Sequence, residues 1–333
     1  MMMWILRCAG LQLCLLALCC ANSCAGVRLF EGQAHTSSRV GHSSEATGGQ
    51  EEMRHMYVDR LIAILDSDAE VDGLIEFAKT HKVSNLLLYD LHRALADAHW
   101  KDRLKHLMTK GLSEGLHFTA TGENTWIFSN RILPFCAEAF PASECFSALN
   151  LEFEFWVSPK VADGGYYCET YLKPQSLPCD VNGGYRYWNE TLGEMRGLAG
   201  EGVKVNAYVG WFDLVTDPPV DTVGGEIVAS TDNLYIHSYH SRPDVLFGYT
   251  KARLEILDAA AKAAGKTFDV DIIFSAEPNF SGPRVQSGGF EAVEEAYESG
   301  ATGAGVFFGS HPNIHLGPFT YFTYSLVKTI STQ

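Results

Sequence analysis

The sequence predicts a single (β/α)8 barrel, the TIM-barrel plan, and three observations carry that reading. Short runs with strand-like apolar patterning recur along the chain from residue 56 onward. Segments with helical spacing separate most of them, and such alternation produces a parallel sheet. The chain from residue 56 to residue 333 is close to the roughly 250 residues typical of an eight-fold barrel. An open α/β sheet, or one of seven strands, is the architectural alternative.

Residues 1–25 precede the barrel. They combine Arg7, an apolar run through Leu18 and the small residues Ser23 and Ala25 in an A-x-A-like arrangement, the pattern of a secretory signal peptide. Residues 26–55 are rich in Ser, Gly, His and Glu without periodicity, which predicts a linker or pro-segment. The barrel is expected over 56–333.

The first strand is placed at Arg60 to Leu65, although YVDRLIAIL fits a helix as well, and a helix follows over Val71 to His81. The second strand is Asn85 to Leu91, with a helix from about Lys101 to Gly115, and the third is Leu116 to Gly122. The fourth is Ala148 to Trp156, followed by a helix over Tyr185 to Leu198. Val203 to Phe212, Asn233 to His240, Asp269 to Glu277 and Gly303 to Ser310 supply the remaining strands. Helices at Asp244 to Gly265, Gly289 to Gly300 and Phe319 to Ile330 complete the pattern.

The fourth run, ALNLEFEFW, organises the rest. A period of two puts Asn150, Glu152, Glu154 and Trp156 on one face and Leu149, Leu151, Phe153 and Phe155 on the other. In a parallel barrel the apolar face lies under the helices, so the two glutamates point to the axis near the carboxyl end, where such barrels carry chemistry. The same alternation turns Asn206 and Tyr208, then Tyr235, His237 and Tyr239, then Asp271, Ile273, Ser275 and Glu277 inward. Asp90 and His92 end the second strand, and Glu123 follows the third.

Glu154 on strand four and Glu277 on strand seven form the candidate pair. Glycoside hydrolysis needs one protonated and one ionised carboxyl flanking a single bond. Glu152 would raise the pKa of Glu154 by like-charge repulsion. Trp156, Trp211, Phe212, Tyr208, Tyr239, Tyr166 and Tyr167 are candidate sugar-stacking aromatics. Asp90, Asn206 and His237 are further candidate substrate contacts. The competing reading is that the acids pair with Lys204, Arg60 or tyrosine hydroxyls and only satisfy a polar barrel mouth. His237-x-x-His240 and His311-x-x-x-His315 lack a carboxylate at a known spacing, so no metal is predicted. Gly111-Leu-Ser-Glu-Gly115 matches G-x-S-x-G but follows a helix and precedes a strand, the reverse of a nucleophile elbow. Neither a G-x-G-x-x-G nor a P-loop occurs, so no nucleotide cofactor is implied.

A formal charge of -15 argues against nucleic acid, whose phosphates such a surface repels. Beyond the leader no run of 18 apolar residues occurs, so no membrane span is predicted. Five of the nine cysteines lie in the leader, leaving Cys136, Cys145, Cys168 and Cys179. An even number in a secreted chain predicts disulfides. Three pairings are open, and the favoured one is local, Cys136 with Cys145 and Cys168 with Cys179. Asn189-Glu-Thr and Asn279-Phe-Ser are N-glycosylation sequons.

On these residues the fourth strand resembles the D-x-D-x-E strand of family 18 chitinases and endo-β-N-acetylglucosaminidases. The resemblance puts Glu154 at the proton-donating glutamate and Glu152 at the preceding acid, with Asn150 and Glu152 replacing aspartates. NLYIHSYH is similar to that family's sixth strand, and Tyr239 matches the tyrosine that holds the substrate acetamido group. GVFFGS lacks the usual tryptophan of the eighth. The placement of Glu154 and Glu277 also resembles the clan of retaining glycosidases with acids on strands four and seven, though Phe153 stands where that clan has Asn. The expectation is a secreted glycoside hydrolase-like barrel acting on a polysaccharide or glycan. Glu154 would serve as acid/base and Glu277 as nucleophile or stabiliser. The alternative is a non-catalytic glycan-binding or extracellular structural protein on the same barrel.

Overall fold

The computed structural model describes residues 54–141, 145–238, 243–276, 289–291, 293–294 and 311–331. Their strands are β1 (Arg54–Val58), β2 (Val83–Leu88), β3 (His117–Gly122), β4 (Ala148–Leu151), β5 (Lys204–Val209), β6 (Asn233–His237), β7 (Phe268–Ser275), β8 (Ile314–Leu316) and β9 (Thr320–Phe322). Every pairing is parallel. β1 through β7 pair in sequence, and β9 pairs with both β7 and β1, which closes an eight-membered barrel.

β8 and β9 together fill the eighth position. β8 pairs with the start of β7, Val270 opposite Leu316, and β9 with its end, Ile273 opposite Thr320. Gly317, Pro318 and Phe319 separate them. Pro318 has no N–H to give a ladder, and a Cβ on Gly317 would lie 2.0 Å from Asp271 Oδ1. The predicted eighth strand, Gly303 to Ser310, lies outside the described residues, and the predicted last helix begins at Tyr324 because 320–322 are strand.

Two further assignments are corrected. The first strand is Arg54–Val58, and Leu61–Leu65 is a helix that buries Leu61, Ile64 and Leu65 at helical spacing. That strand begins inside the stretch expected to be linker. A helix over Val220–Ser230, between β5 and β6, has no counterpart in the sequence reading. Its Gly224–Gly225 pair disfavours a helix by propensity. Close packing overrides that cost, since a Cβ on Gly224 would come 2.7 Å from Ile256 Cγ2.

Alternation along the strands sorts the barrel into two layers. Met56, Leu86, Phe118, Leu149, Val205, Leu234 and Ile272 are buried under the helices. The interior is polar and aromatic. Tyr57 packs against Tyr89, Tyr208, Tyr235 and Phe322, and Asn150 donates to its hydroxyl at 3.3 Å. Lower in the barrel Asp271 accepts from Asn233 at 2.9 Å and pairs with His55 Nδ1 at 2.9 Å. The helices start on side-chain caps. Ser67 accepts from Glu70 N–H, Asp97 from His99 N–H and Asp180 from Gly183 N–H, each worth about 1 kcal/mol. No helix among the described residues is long and apolar enough to cross a membrane.

Candidate active site

The carboxyl ends of the strands form the barrel mouth. On the side of β2, β3 and β4 it opens into a cleft of about 370 Å³ lined by Tyr89, Asp90, Glu123, Trp126, Glu152 and Tyr166, among others.

Glu152 is the first residue beyond β4. Its N–H donates to the Gly122 carbonyl at 2.9 Å, which holds it against the end of β3. Its Oε2 is enclosed and has no hydrogen-bond partner among the described residues. Burial pushes this carboxyl well above its ordinary value; the nearby charges of Glu154 and Glu123 push the same way, against the Tyr89 hydroxyl. An acid in that setting favours its protonated form, which a proton donor requires.

Glu123 follows β3 and remains half-exposed. Its Oε2 accepts from the hydroxyls of Tyr171 at 3.0 Å and Tyr166 at 3.3 Å. Asn124 donates to Tyr171 at 3.3 Å, and its carbonyl caps the next turn through Ile127 N–H. Burial pushes the phenols of Tyr89, Tyr167 and Tyr171 upward, so their hydroxyls stay protonated. Tyr166 and Trp126, 56% and 55% exposed, present aromatic surface at the cleft edge.

Glu154 is placed differently from Glu152. The β4 strand ends at Leu151, so the period of two does not carry to Trp156. Phe153 turns under the loop and stacks on Tyr167, ring centres 4.1 Å apart. Phe155 packs against Tyr185 and Trp188. Glu154 forms an ion pair with Lys160, whose ammonium lies 5.2 Å from the Tyr167 ring. The carboxyl that burial raises is that of Glu152, which the sequence reading cast as a modulator of Glu154.

Of the other sequence candidates, Asp90 lines the cleft. Trp156, expected as a stacking surface, is buried edge-on to Tyr208 at 5.3 Å. It lies so close over Gly210 that an added Cβ would come 2.4 Å from the indole. Tyr208, Tyr167 and Phe212 are buried too, so their rings pack within the protein. Asn206 donates to Tyr235 at 3.4 Å inside the barrel. His237 is buried beside Trp211, whose ring meets it edge-on at 4.4 Å while Arg253 lies 5.6 Å above that indole. Apart from Asp90, none of these residues lines the Glu152 cleft. Glu277, Tyr239 and Asn279 lie outside the described residues.

Disulfides join Cys136 to Cys145, ahead of β4, and Cys168 to Cys179, in the loop that follows it. The second clamps the turn that carries Tyr171. Among the described residues the metal-type cluster consists of Asp163 with Cys168 and Cys179, whose sulfurs are bonded to each other. His311 is buried, and His315 faces Asp269 at 3.1 Å. The sequon at Asn189 lies within the helix Val181–Leu198. Its amide donates to Glu226 and accepts from Ser230, and Thr191 is buried.

Tyr89, Trp126 and Tyr171 complete the cleft beside Glu123, which the sequence placed just after the third strand; the three aromatic residues were not among the sequence candidates. Their signal was positional, since each falls at or just beyond a strand end or in the loop after it.

No family model matches the chain, and no curated protein sequence does. Among solved structures, it is similar to a GH5_18 variant from Bifidobacterium longum subsp. longum in complex with Manβ1-4GlcNAc. The identity is 14% and the TM-score 0.50, over 81% of this chain and 69% of that one. It is also similar to the endo-β-1,4-mannanase of Thermotoga petrophila, at 10% identity and TM-score 0.46 over 82% and 67%. A tamarind chitinase-like lectin matches at 12% identity and TM-score 0.41 over 84% and 97%. At these identities the likeness is one of fold, a (β/α)8 barrel.

Proposed function

We propose that this chain is a secreted glycoside hydrolase-like protein that takes a glycan in the cleft between β2, β3 and β4 and protonates the glycosidic oxygen from Glu152. The observation that carries the reading is the enclosed carboxyl of Glu152 opening onto a cleft edged by the exposed rings of Trp126 and Tyr166. A general acid needs a raised pKa, and a sugar needs apolar ring faces together with hydrogen-bonding groups. A neighbour at TM-score 0.50 was solved with a bound disaccharide, and the barrel is of the kind that holds such ligands at this face. Glu277, which follows β7 in the sequence, is proposed as the ionised partner. Asp90 is a proposed sugar contact. Two disulfides suit an oxidising compartment.

One observation favours a second reading, glycan binding without turnover. Glu154 is held by Lys160 and Glu123 by two tyrosine hydroxyls, so the other acids near Glu152 are already engaged.

The deciding experiment is hydrolysis of a panel of aryl glycosides and oligosaccharides by the wild type, Glu152→Gln, Glu277→Gln and Glu154→Gln. Loss of a general acid is expected to slow Glu152→Gln by roughly 10²–10⁴, with Glu154→Gln close to wild type. Binding without turnover in the wild type selects the non-catalytic reading. Neither binding nor turnover of any sugar overturns both.

A further inference from the structure

Next to the Glu152 cleft lies a second depression, of about 400 Å³, lined by Arg60, Ile62, Asp66, Asp90, Arg93 and Trp100, among others. Asp90 lines both cavities, so the two are neighbours across one side chain. The sequence reading assigned nothing to Arg93 or Trp100, and gave Arg60 only as a partner for the acids.

The topology explains why these residues converge. Arg60 follows β1, Asp90 and Arg93 follow β2, and Trp100 is in the first turn of the next helix, Ala98–Ser113. All therefore belong to the barrel's carboxyl-end face. Arg60 and Asp90 both adopt left-handed backbone, φ 53° and 56°, a conformation that costs a non-glycine residue energy and is often kept at functional turns.

The chemistry of the lining selects a ligand class. Trp100 is half-buried and gives the depression an aromatic wall. Neither the Arg60 guanidinium nor the Asp66 carboxylate has a hydrogen bond or ion pair among the described residues. Arg93 has only a long contact to Asp90, at 3.8 Å. Two guanidiniums alone would suit an anion, but two carboxylates share the space and would repel one. Charge is balanced, and donors stand beside acceptors around an apolar ring. That combination fits a neutral, hydroxyl-rich ring with an apolar face.

We infer that the Trp100 depression is a second sugar subsite, continuous through Asp90 with the Glu152 cleft, so that the protein engages an oligosaccharide chain rather than a single terminal sugar. This inference rests on the glycan reading above.

The test is calorimetric titration of the full chain carrying Glu152→Gln, which keeps substrates intact. The ligands are β-1,4-linked oligomers of N-acetylglucosamine, mannose and glucose, from disaccharide to hexasaccharide. Affinity is expected to rise by at least about tenfold from disaccharide to hexasaccharide for the preferred sugar. Adding Trp100→Ala should abolish that rise and leave the disaccharide affinity unchanged. Because Trp100 also packs on the core, the exposed pair Asp66→Ala/Arg93→Ala provides an independent arm, expected to weaken the hexasaccharide alone. Affinity independent of chain length, or a rise that survives both substitutions, overturns the subsite while leaving the glycan reading in place. If no oligomer binds at any length, the glycan reading fails and the subsite with it.

Discussion

At the scale of single residues, Glu152 carries a consequence that does not depend on any substrate. Its carboxyl is raised above its ordinary value of 4.5, first by burial and then by Glu154 and Glu123. The folded chain therefore holds a proton that the unfolded chain has already released. Stability is highest below pH 4.5 as far as this group is concerned, and it falls as pH rises from there through the folded value, by about 1.4 kcal/mol for each pH unit of that window. Glu152→Gln keeps the shape and the acceptor for Tyr89 but cannot ionise. Its melting temperature should exceed that of the wild type at about pH 8 and approach it at about pH 4. A constant difference across that range would mean that Glu152 is not protonated in the fold. The same residue marks how far the sequence could be read. Its inward direction was legible because Leu149, Leu151 and Phe153 define the opposite face. That it lines the cleft while Glu154 does not was hidden, because that depends on where β4 stops, and LEFEF continues the alternation past the point where the backbone leaves the sheet at Leu151.

At the scale of elements, the eighth barrel position is the place where local sequence and final structure diverge most. IHL and TYF are too short to announce themselves, and Gly317-Pro318 between them reads as a turn that ends a strand. What makes them one barrel position is β7, long enough at Phe268–Ser275 to pair with both. The break has a steric purpose. Asp271 points at Gly317 while holding His55 and Asn233, and only a residue without Cβ leaves it room. Gly317→Ala is expected to destabilise by about 1–3 kcal/mol, as overpacking does in a closely packed interior, visible as a lower melting temperature with secondary structure retained. An unchanged melting temperature would show that the seam yields at no cost. Long strands with β-branched or aromatic residues, such as VKVNAYV and DVDIIFS, were legible. The helix Val220–Ser230 was not, since Gly224 serves a contact with Ile256 that no local pattern encodes.

At the scale of the whole molecule, a barrel exists only if its first and last strands meet, and one buried charge pair sits at that meeting. Arg54 on β1 donates from Nε and Nη2 to both carboxylate oxygens of Glu294, each at 2.7 Å. Glu294 also accepts from Tyr321 of β9 at 2.6 Å, and Arg54 reaches the His81 carbonyl at 2.9 Å. Strand alternation implied closure without naming this clasp, because Arg54 stands in a stretch whose composition reads as linker and Glu294 lies far along the chain. The arrangement leaves neither charge able to lose its partner cheaply. Arg54→Met strands the Glu294 carboxylate in a buried site, an effect worth about 3–5 kcal/mol in comparable pairs, and should move the urea midpoint down accordingly. Arg54→Met/Glu294→Leu removes both charges and should recover much of the loss, since a buried pair contributes little beyond what apolar packing in its place supplies. If the single substitution unfolds at the wild-type midpoint, the clasp does not hold the barrel closed. If the double variant is no better than the single, Tyr321, stripped of its acceptor, is where the cost lies, and closure depends on the three side chains acting as one unit.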